Sequence, residues 1–180
     1  MHSLALELPQ CVGSTQLRAL RLTDLARFAT YRADSGLAKY QSWEPMDRTA
    51  AEAFLRETAS ATHFIPGGWI QLAIANVAQD DLIGDAGLFL SEDCTYGELG
   101  FTLARNEHGK GHATRAIELA VEQFFRLPTV LEVRAVTDQL NHASVAVLQR
   151  AKFVQAGTRE AVFKGKPCRE VLFARGRSAV

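Results

Sequence analysis

The sequence predicts a mixed α/β fold, one sheet between helices with only part of the sheet parallel. Three observations carry this. The segments "WIQLAIANV", "LIGDAGLFL" and "YGELGFTLA" follow one another, rich in aliphatic and β-branched residues and separated by polar stretches. From Ala113 to Phe125, apolar residues recur at offsets 0, 3, 4, 7, 8, 11 and 12, a complete helical stripe. After that helix the patterns run strand, helix, strand, strand.

The first strand is "QLRAL", Gln16 to Leu20. Thr23 then caps a helix with Leu25, Phe28, Ala29 and Tyr31 on its inner face. The loop "SWEPMD" leads to a second helix, where Thr49 and Glu52 form a capping box and Phe54 and Leu55 turn inward. "PGG" at Pro66 to Gly68 breaks the chain. "AQDD" joins the first two central strands as a hairpin. In the third, Gly97 and Gly100 mark a bulge or a place where something approaches the backbone closely. The long helix runs from His112 to Arg126, and Pro128 ends it. "LEVRAVT" is a strand, Asn141 starts a short helix, and "FVQAGTRE" and "EVLFAR" are the closing strands. No repeat or low-complexity tract interrupts this order, and residues 1–180 read as one domain.

Twenty basic residues balance twenty acidic ones, which argues against a nucleic-acid partner held mainly by phosphate neutralisation. Cys11, Cys94 and Cys168 are far apart and in no metal-ligand spacing, so they read as reduced, packed thiols of a cytoplasmic protein. The stretch "MHSLALELPQ" lacks a basic flank, and no apolar run approaches the roughly 18 residues of a membrane span. Expected, then, are a cytoplasmic location, no membrane or nucleic-acid partner, and a monomer or homodimer.

The most informative stretch is "RNEHGKGHATRA", at the junction of the third central strand and the long helix. The first N–H groups of a helix have no internal partner, and the helix dipole adds partial positive charge there. Glycines let a pyrophosphate approach the backbone without striking a Cβ, so the turn reads as an anion cradle. The familiar phosphate loops do not fit. A P-loop needs G-x-x-x-x-G-K-S/T, but Gly111 follows Lys110. A dinucleotide fingerprint needs G-x-G-x-x-G, and Thr114 holds the sixth position. His108 and His112 are four apart but have no third ligand, so no metal site is expected.

The stretch resembles motif A of the GNAT superfamily of N-acetyltransferases, R/Q-x-x-G-x-G/A. Here it reads "HGKGHA", with Gly111 and Ala113 in the small positions and His108 in place of the usual Arg or Gln. "SWEPMDRTAAEAFL", the paired strands "LIGDAGLFL" and "YGELGFTLA", and "DQLNHASVAVLQRAKFVQAG" resemble, in the right order, the branch containing the ribosomal-protein N-terminal acetyltransferases. The resemblance implies a mixed sheet of about seven strands with a splayed parallel pair, flanked by about four helices. It implies acetyl-CoA as co-substrate and no metal cofactor. The acceptor is a primary amine, foremost a protein N-terminal α-amine. The alternatives are a small-molecule amine, such as an antibiotic or polyamine, and a non-catalytic acyl-CoA-binding module.

Carried over, the cofactor arm lies along Phe101, Thr102 and Leu103 of a bulged strand, bonding to its backbone like an added strand. The pyrophosphate sits on the N–H groups of His108, Gly109, Lys110, Gly111, His112, Ala113 and Thr114. Lys110 either adds a charge or is solvated. Asn141 and Ser144 match positions that hold the arm and the sulfur; for Asn141 a plain helix cap is the other reading. Leu148 stands where many members carry a Tyr acid, which leaves Ser144 as the hydrogen-bond donor to the leaving thiolate. The family's Gly before the next strand is Lys152 here. Glu98 is the expected proton acceptor, or else a solvated strand carboxylate. Trp43 and Glu44 wall the acceptor site, or Trp43 packs in the core.

Overall fold

The computed structural model describes residues 4–177. In chain order it contains β1 (Gln10–Val12), β2 (Thr15–Ala19), α1 (Leu25–Arg32), α2 (Ser35–Ala38), α3 (Arg48–Thr58), β3 (Gly68–Asn76), β4 (Leu82–Leu90), β5 (Tyr96–Leu103), α4 (His112–Phe125), β6 (Glu132–Asp138), α5 (His142–Arg150), β7 (Val154–Phe163) and β8 (Lys166–Gly176). The eight strands form one sheet in the order β1-β2-β3-β4-β5-β6-β8-β7. Within it β5 and β6 are the parallel pair. No described helix is long and apolar enough to cross a membrane.

Alternation sorts side chains to the two faces of the sheet. Ile70, Leu72, Leu88 and Leu99 point to one face and pack with Ala116, Ile117, Ala120 and Phe124 of α4. Ala73 faces the other way and packs with Phe28 and Tyr31 of α1 and with Ala51 and Leu55 of α3. Phe54 of α3 is part-buried there and stacks on Phe28, with ring centroids 5.4 Å apart. Gly97 is required by this packing, because a Cβ there would collide with the Phe124 ring.

The sheet has eight strands rather than about seven. The extra one, β1, is three largely exposed residues with no hydrophobic alternation to announce it. The fifth helix is α2, a single turn whose cap is Asp34, accepting from the N–H groups of Gly36 and Leu37. Two expected caps are corrected. Thr23 lies inside a 3-10 turn, Leu22–Asp24, that precedes α1. The residue before α1 is Asp24, whose buried carboxylate accepts from the Arg21 N–H at 2.9 Å and from Arg18 at 2.8 Å. Thr49 is already within α3, and Asp47 caps it by accepting from Ala50 N–H at 2.8 Å. Glu52 is then left to pair with Arg56 one turn on, at 2.6 Å.

Lys152, in place of the family's glycine, adopts φ 63°. The turn closes all the same, with Phe153 N–H donating to Leu148 C=O at 3.0 Å. Left-handed backbone costs a non-glycine residue about 1–2 kcal/mol, and glycine's extra chain entropy offsets about half of that. Lys152→Gly should therefore raise stability by about 0.5–1 kcal/mol, a rise in Tm of about 1–4 °C in a scanning melt.

Candidate active site

β5 and β6 pair at only three positions, Tyr96–Glu132, Gly97–Val133 and Glu98–Arg134. Beyond Glu98 the strands part. β6 continues along β8 as far as Asp138, and β5 along β4 as far as Leu103. The expected bulge is absent, since β4 and β5 keep an unbroken register from Gly84–Leu103 to Leu90–Gly97. The splay comes instead from β6 following β8.

The part of β5 without a β6 partner borders a cavity of about 670 Å3. Phe101, Thr102 and Leu103 line it from the strand, and Asn141 and Ser144 from α5. His108, Gly109, Gly111, His112, Ala113 and Thr114 line it from the turn into α4. Leu37, Tyr40 and Gln41 close another side. Sequence reading passed over these last three. The available signal was Asp34 before "SGLA", an N-cap ahead of one helical turn.

The turn has the features of an anion cradle. Gly109 and Gly111 adopt φ 76° and 79°, which only glycine enters freely. The first bond of α4 at this end runs from Arg115 N–H to Gly111 C=O at 3.2 Å, so the N–H groups of Gly111 to Thr114 have no partner within the helix. Arg115 braces the loop by donating to Lys110 C=O and to Thr15 Oγ1, each at 2.8 Å. Thr15 Oγ1 lies 2.8 Å from His112 Nδ1. With Arg115 donating to Thr15, the hydroxyl proton points at Nδ1, which suits a neutral imidazole. Burial, then the nearby Arg115, lowers the His112 pKa in the same sense.

The other expected site residues are distributed as follows. His108 Nε2 lies 3.0 Å from Leu103 C=O, to which it donates. Lys110 pairs with Glu107 at 3.1 Å and does not line the cavity. Asn141 caps α5, accepting from Ser144 N–H at 3.3 Å, and also borders the cavity. Leu148 is buried in the core. Arg150, which borders the cavity, makes no ion pair among the described residues.

Glu98 stands at the last paired position before the splay, on the face opposite Leu99 and therefore opposite α4. Burial pushes its carboxyl above the usual range, and Arg134 and Arg159 pull it back. Its neighbours in the cross-strand row are Phe89 and, beyond it, half-exposed Trp69, whose ring centroids are 5.5 Å apart. Trp43 lies under the Arg32 guanidinium, 4.5 Å from its ring centroid. The loop holding Trp43 is tied to the β7–β8 turn by Lys164, which donates to Ala38 C=O at 2.9 Å and Trp43 C=O at 2.8 Å and pairs with Glu44 at 3.0 Å.

The model of the acetyltransferase (GNAT) domain matches residues 15–154. The chain belongs to the GNAT acetyltransferase family. An uncharacterized N-acetyltransferase, p20, of Bacillus licheniformis is 24% identical over 143 residues, 78% of this chain and 79% of that one. The spermidine N-acetyltransferase from Vibrio cholerae, solved with CoA and spermine, superposes with a TM-score of 0.75 at 18% identity, over 91% of this chain and 95% of that chain. The ribosomal-protein-S5-alanine acetyltransferase from Vibrio fischeri superposes with a TM-score of 0.73 at 16% identity, over 94% and 97%. At these identities the two structures share the GNAT fold with this chain, and their acceptors differ from each other.

In this GNAT protein a Cβ at Gly111 would stand 2.8 Å from Arg115 Nη1, on a backbone that β-branched residues avoid. Gly111→Val should weaken acetyl-CoA binding at least tenfold by calorimetry, about 1.4 kcal/mol. It should also lose about 1–2 kcal/mol of stability to backbone strain. A folded variant with unchanged affinity would refute the cradle.

Proposed function

We propose that this acetyl-CoA-dependent GNAT protein acetylates a primary amine, foremost the α-amine of a protein N-terminus. The observation that carries the reading is the parting of β5 from β6 just beyond Glu98, with the lined cavity against the parted strand and Glu98 on the opposite sheet face. Acetyl-CoA supplies an activated acetyl thioester. The N–H groups from Gly109 to Thr114 suit its pyrophosphate, and Arg150 is a cation at the cavity wall for a further phosphate. The edge of β5 at Phe101 to Leu103 suits the amides of its arm. Ser144 serves as a hydrogen-bond donor to the departing thiolate.

On the opposite face Glu98 takes the proton from the attacking amine, directly or through a water. Gly100 on the same face is exposed, and a Cβ built there meets nothing within 4 Å. An open floor of this kind admits an extended chain end, whereas metabolites are usually enclosed. That favours a peptide terminus over a small amine.

The test is CoA release with a panel of acceptors: peptides with different first residues, spermidine and an aminoglycoside. Turnover confined to peptides with a free α-amine is expected. Turnover of spermidine or the aminoglycoside alone would replace the acceptor. Tight acetyl-CoA binding with no turnover on any acceptor would favour an acyl-CoA-binding module.

A further inference from the structure

Past Glu98, β5 has no strand partner on the β6 side, and two of its carbonyls in the cavity wall are held by side chains. Gln41 Nε2 donates to Phe101 C=O at 3.2 Å, and His108 Nε2 donates to Leu103 C=O at 3.0 Å. The two acceptors are two residues apart, the interval at which a strand presents successive groups to the same neighbour. Both donors are N–H groups, and Gln41 offers a carboxamide, the same chemistry as the amides of a pantetheine arm.

Gln41 also sits at a junction. Its own N–H donates to Ala38 C=O at 3.0 Å, and Ala38 C=O is one of the two carbonyls held by Lys164. The other is Trp43 C=O, two residues after Gln41, and Trp43 packs beneath buried Arg32. The segment from Ala38 to Glu44 is thus held by Lys164 of the β7–β8 turn and, through Gln41, by β5.

We propose that Gln41 is a displaceable stand-in for the acyl donor: it occupies Phe101 C=O until an amide of the bound arm takes that carbonyl, and its release resets the Trp43 segment on the acceptor side. The proposal rests on the acetyl-CoA reading given above. Gln41 is a positioning residue in this scheme. It signals that the donor is loaded and shapes the acceptor wall accordingly.

The direction of one effect separates this role from that of an ordinary wall residue. A residue that helps hold the donor loses affinity when truncated. A residue that competes with the donor gains it, because binding no longer has to break its bond. Gln41→Ala should therefore bind acetyl-CoA about two- to tenfold more tightly in calorimetry, the range spanned by one net hydrogen bond. Gln41→Asn, whose shorter amide falls short of Phe101, should do the same and checks for damage peculiar to alanine.

A second readout needs no acceptor. The protein has two tryptophans, so Trp69→Phe leaves Trp43 as the only one. Saturating that protein with CoA should change Trp43 fluorescence, and adding Gln41→Ala should remove most of the change. Weaker binding by both Gln41 variants would make Gln41 a direct ligand and overturn the proposal. Unchanged affinity would mean that Phe101 C=O serves both donors at once, and would overturn it too. If the wild type binds no acetyl-CoA, the functional reading itself falls and this inference with it.

Discussion

Arg32→Met is expected to lower the free energy of unfolding by about 3–5 kcal/mol, the cost of stranding a buried charge. Both Arg32 and Asp85 are almost wholly buried, and they form an ion pair between α1 and β4. Gln71 Nε2 donates to the same carboxylate at 3.1 Å. The guanidinium lies 4.9, 4.5 and 5.4 Å from the ring centroids of Phe28, Trp43 and Phe54. Among the described residues, Asp85 Oδ1, Arg32 Nε and Tyr31 Oη make no hydrogen bond of ordinary geometry. The pair is thus poorly insulated against loss of either member.

In a chain of 180 residues the drop in Tm should be about 6–20 °C. Burial already pushes the Asp85 carboxyl up, against the pull of Arg32. Without Arg32 its strongest downward pull is gone and burial outweighs the bond that Gln71 still donates, so the folded variant holds a proton that the unfolded chain releases. Stability of the variant should therefore fall as pH rises above the usual carboxylate range, and the deficit should be smaller at pH 5 than at pH 8. The double variant Arg32→Met, Asp85→Leu should recover most of the loss, because no charge is then left buried. A single-variant loss under about 1 kcal/mol at pH 8 would show that water reaches the pair.

Glu98→Gln should reduce kcat about 100-fold at pH 6.5 and less than about threefold at pH 9, if the acceptor is an α-amine. The reason is the supply of neutral nucleophile. An α-amine with a pKa near 8 is about 3% neutral at pH 6.5 and about 90% neutral at pH 9. A base is needed at the first value and nearly redundant at the second. Burial raises the Glu98 pKa, so the wild-type rate should itself fall as acid protonates Glu98, beginning at a higher pH than for an ordinary glutamate. The limb that belongs to Glu98 should vanish from the Glu98→Gln profile, which should instead follow the neutral fraction of the amine and fall below about pH 8. A lysine acceptor with a pKa near 10.4 stays mostly charged at pH 9, so a large loss at both values would point there instead.

Much of this fold was legible in the chain. The stripe on α4 and the aliphatic runs of β3 to β5 are dictated by how many apolar groups must leave water on one face, a local and periodic property. The left-handed turn before α4 was legible for a related reason. Only glycine enters the φ of 76° and 79° found at Gly109 and Gly111 without strain, so the backbone conformation is written into the residue type. Caps were less legible, because Thr23, Asp24, Asp47 and Thr49 all carry oxygens that suit the role and lie within two residues of a competitor. Which one acts depends on where each chain segment enters its helix.

By itself, then, the sequence determined the order of elements apart from β1 and α2, the two-sided core and the glycine turn at the mouth of α4, since each follows from residue type and spacing along the chain. The tertiary structure alone decided where β5 and β6 part, because that depends on β6 staying with β8 for seven residues rather than with β5. It also decided that Glu98 stands on the opposite sheet face from α4, and that Gln41, 60 residues away in the chain, reaches the carbonyl of Phe101. Contacts between segments so far apart leave no period to read, and only the packing of the sheet against its helices specifies them.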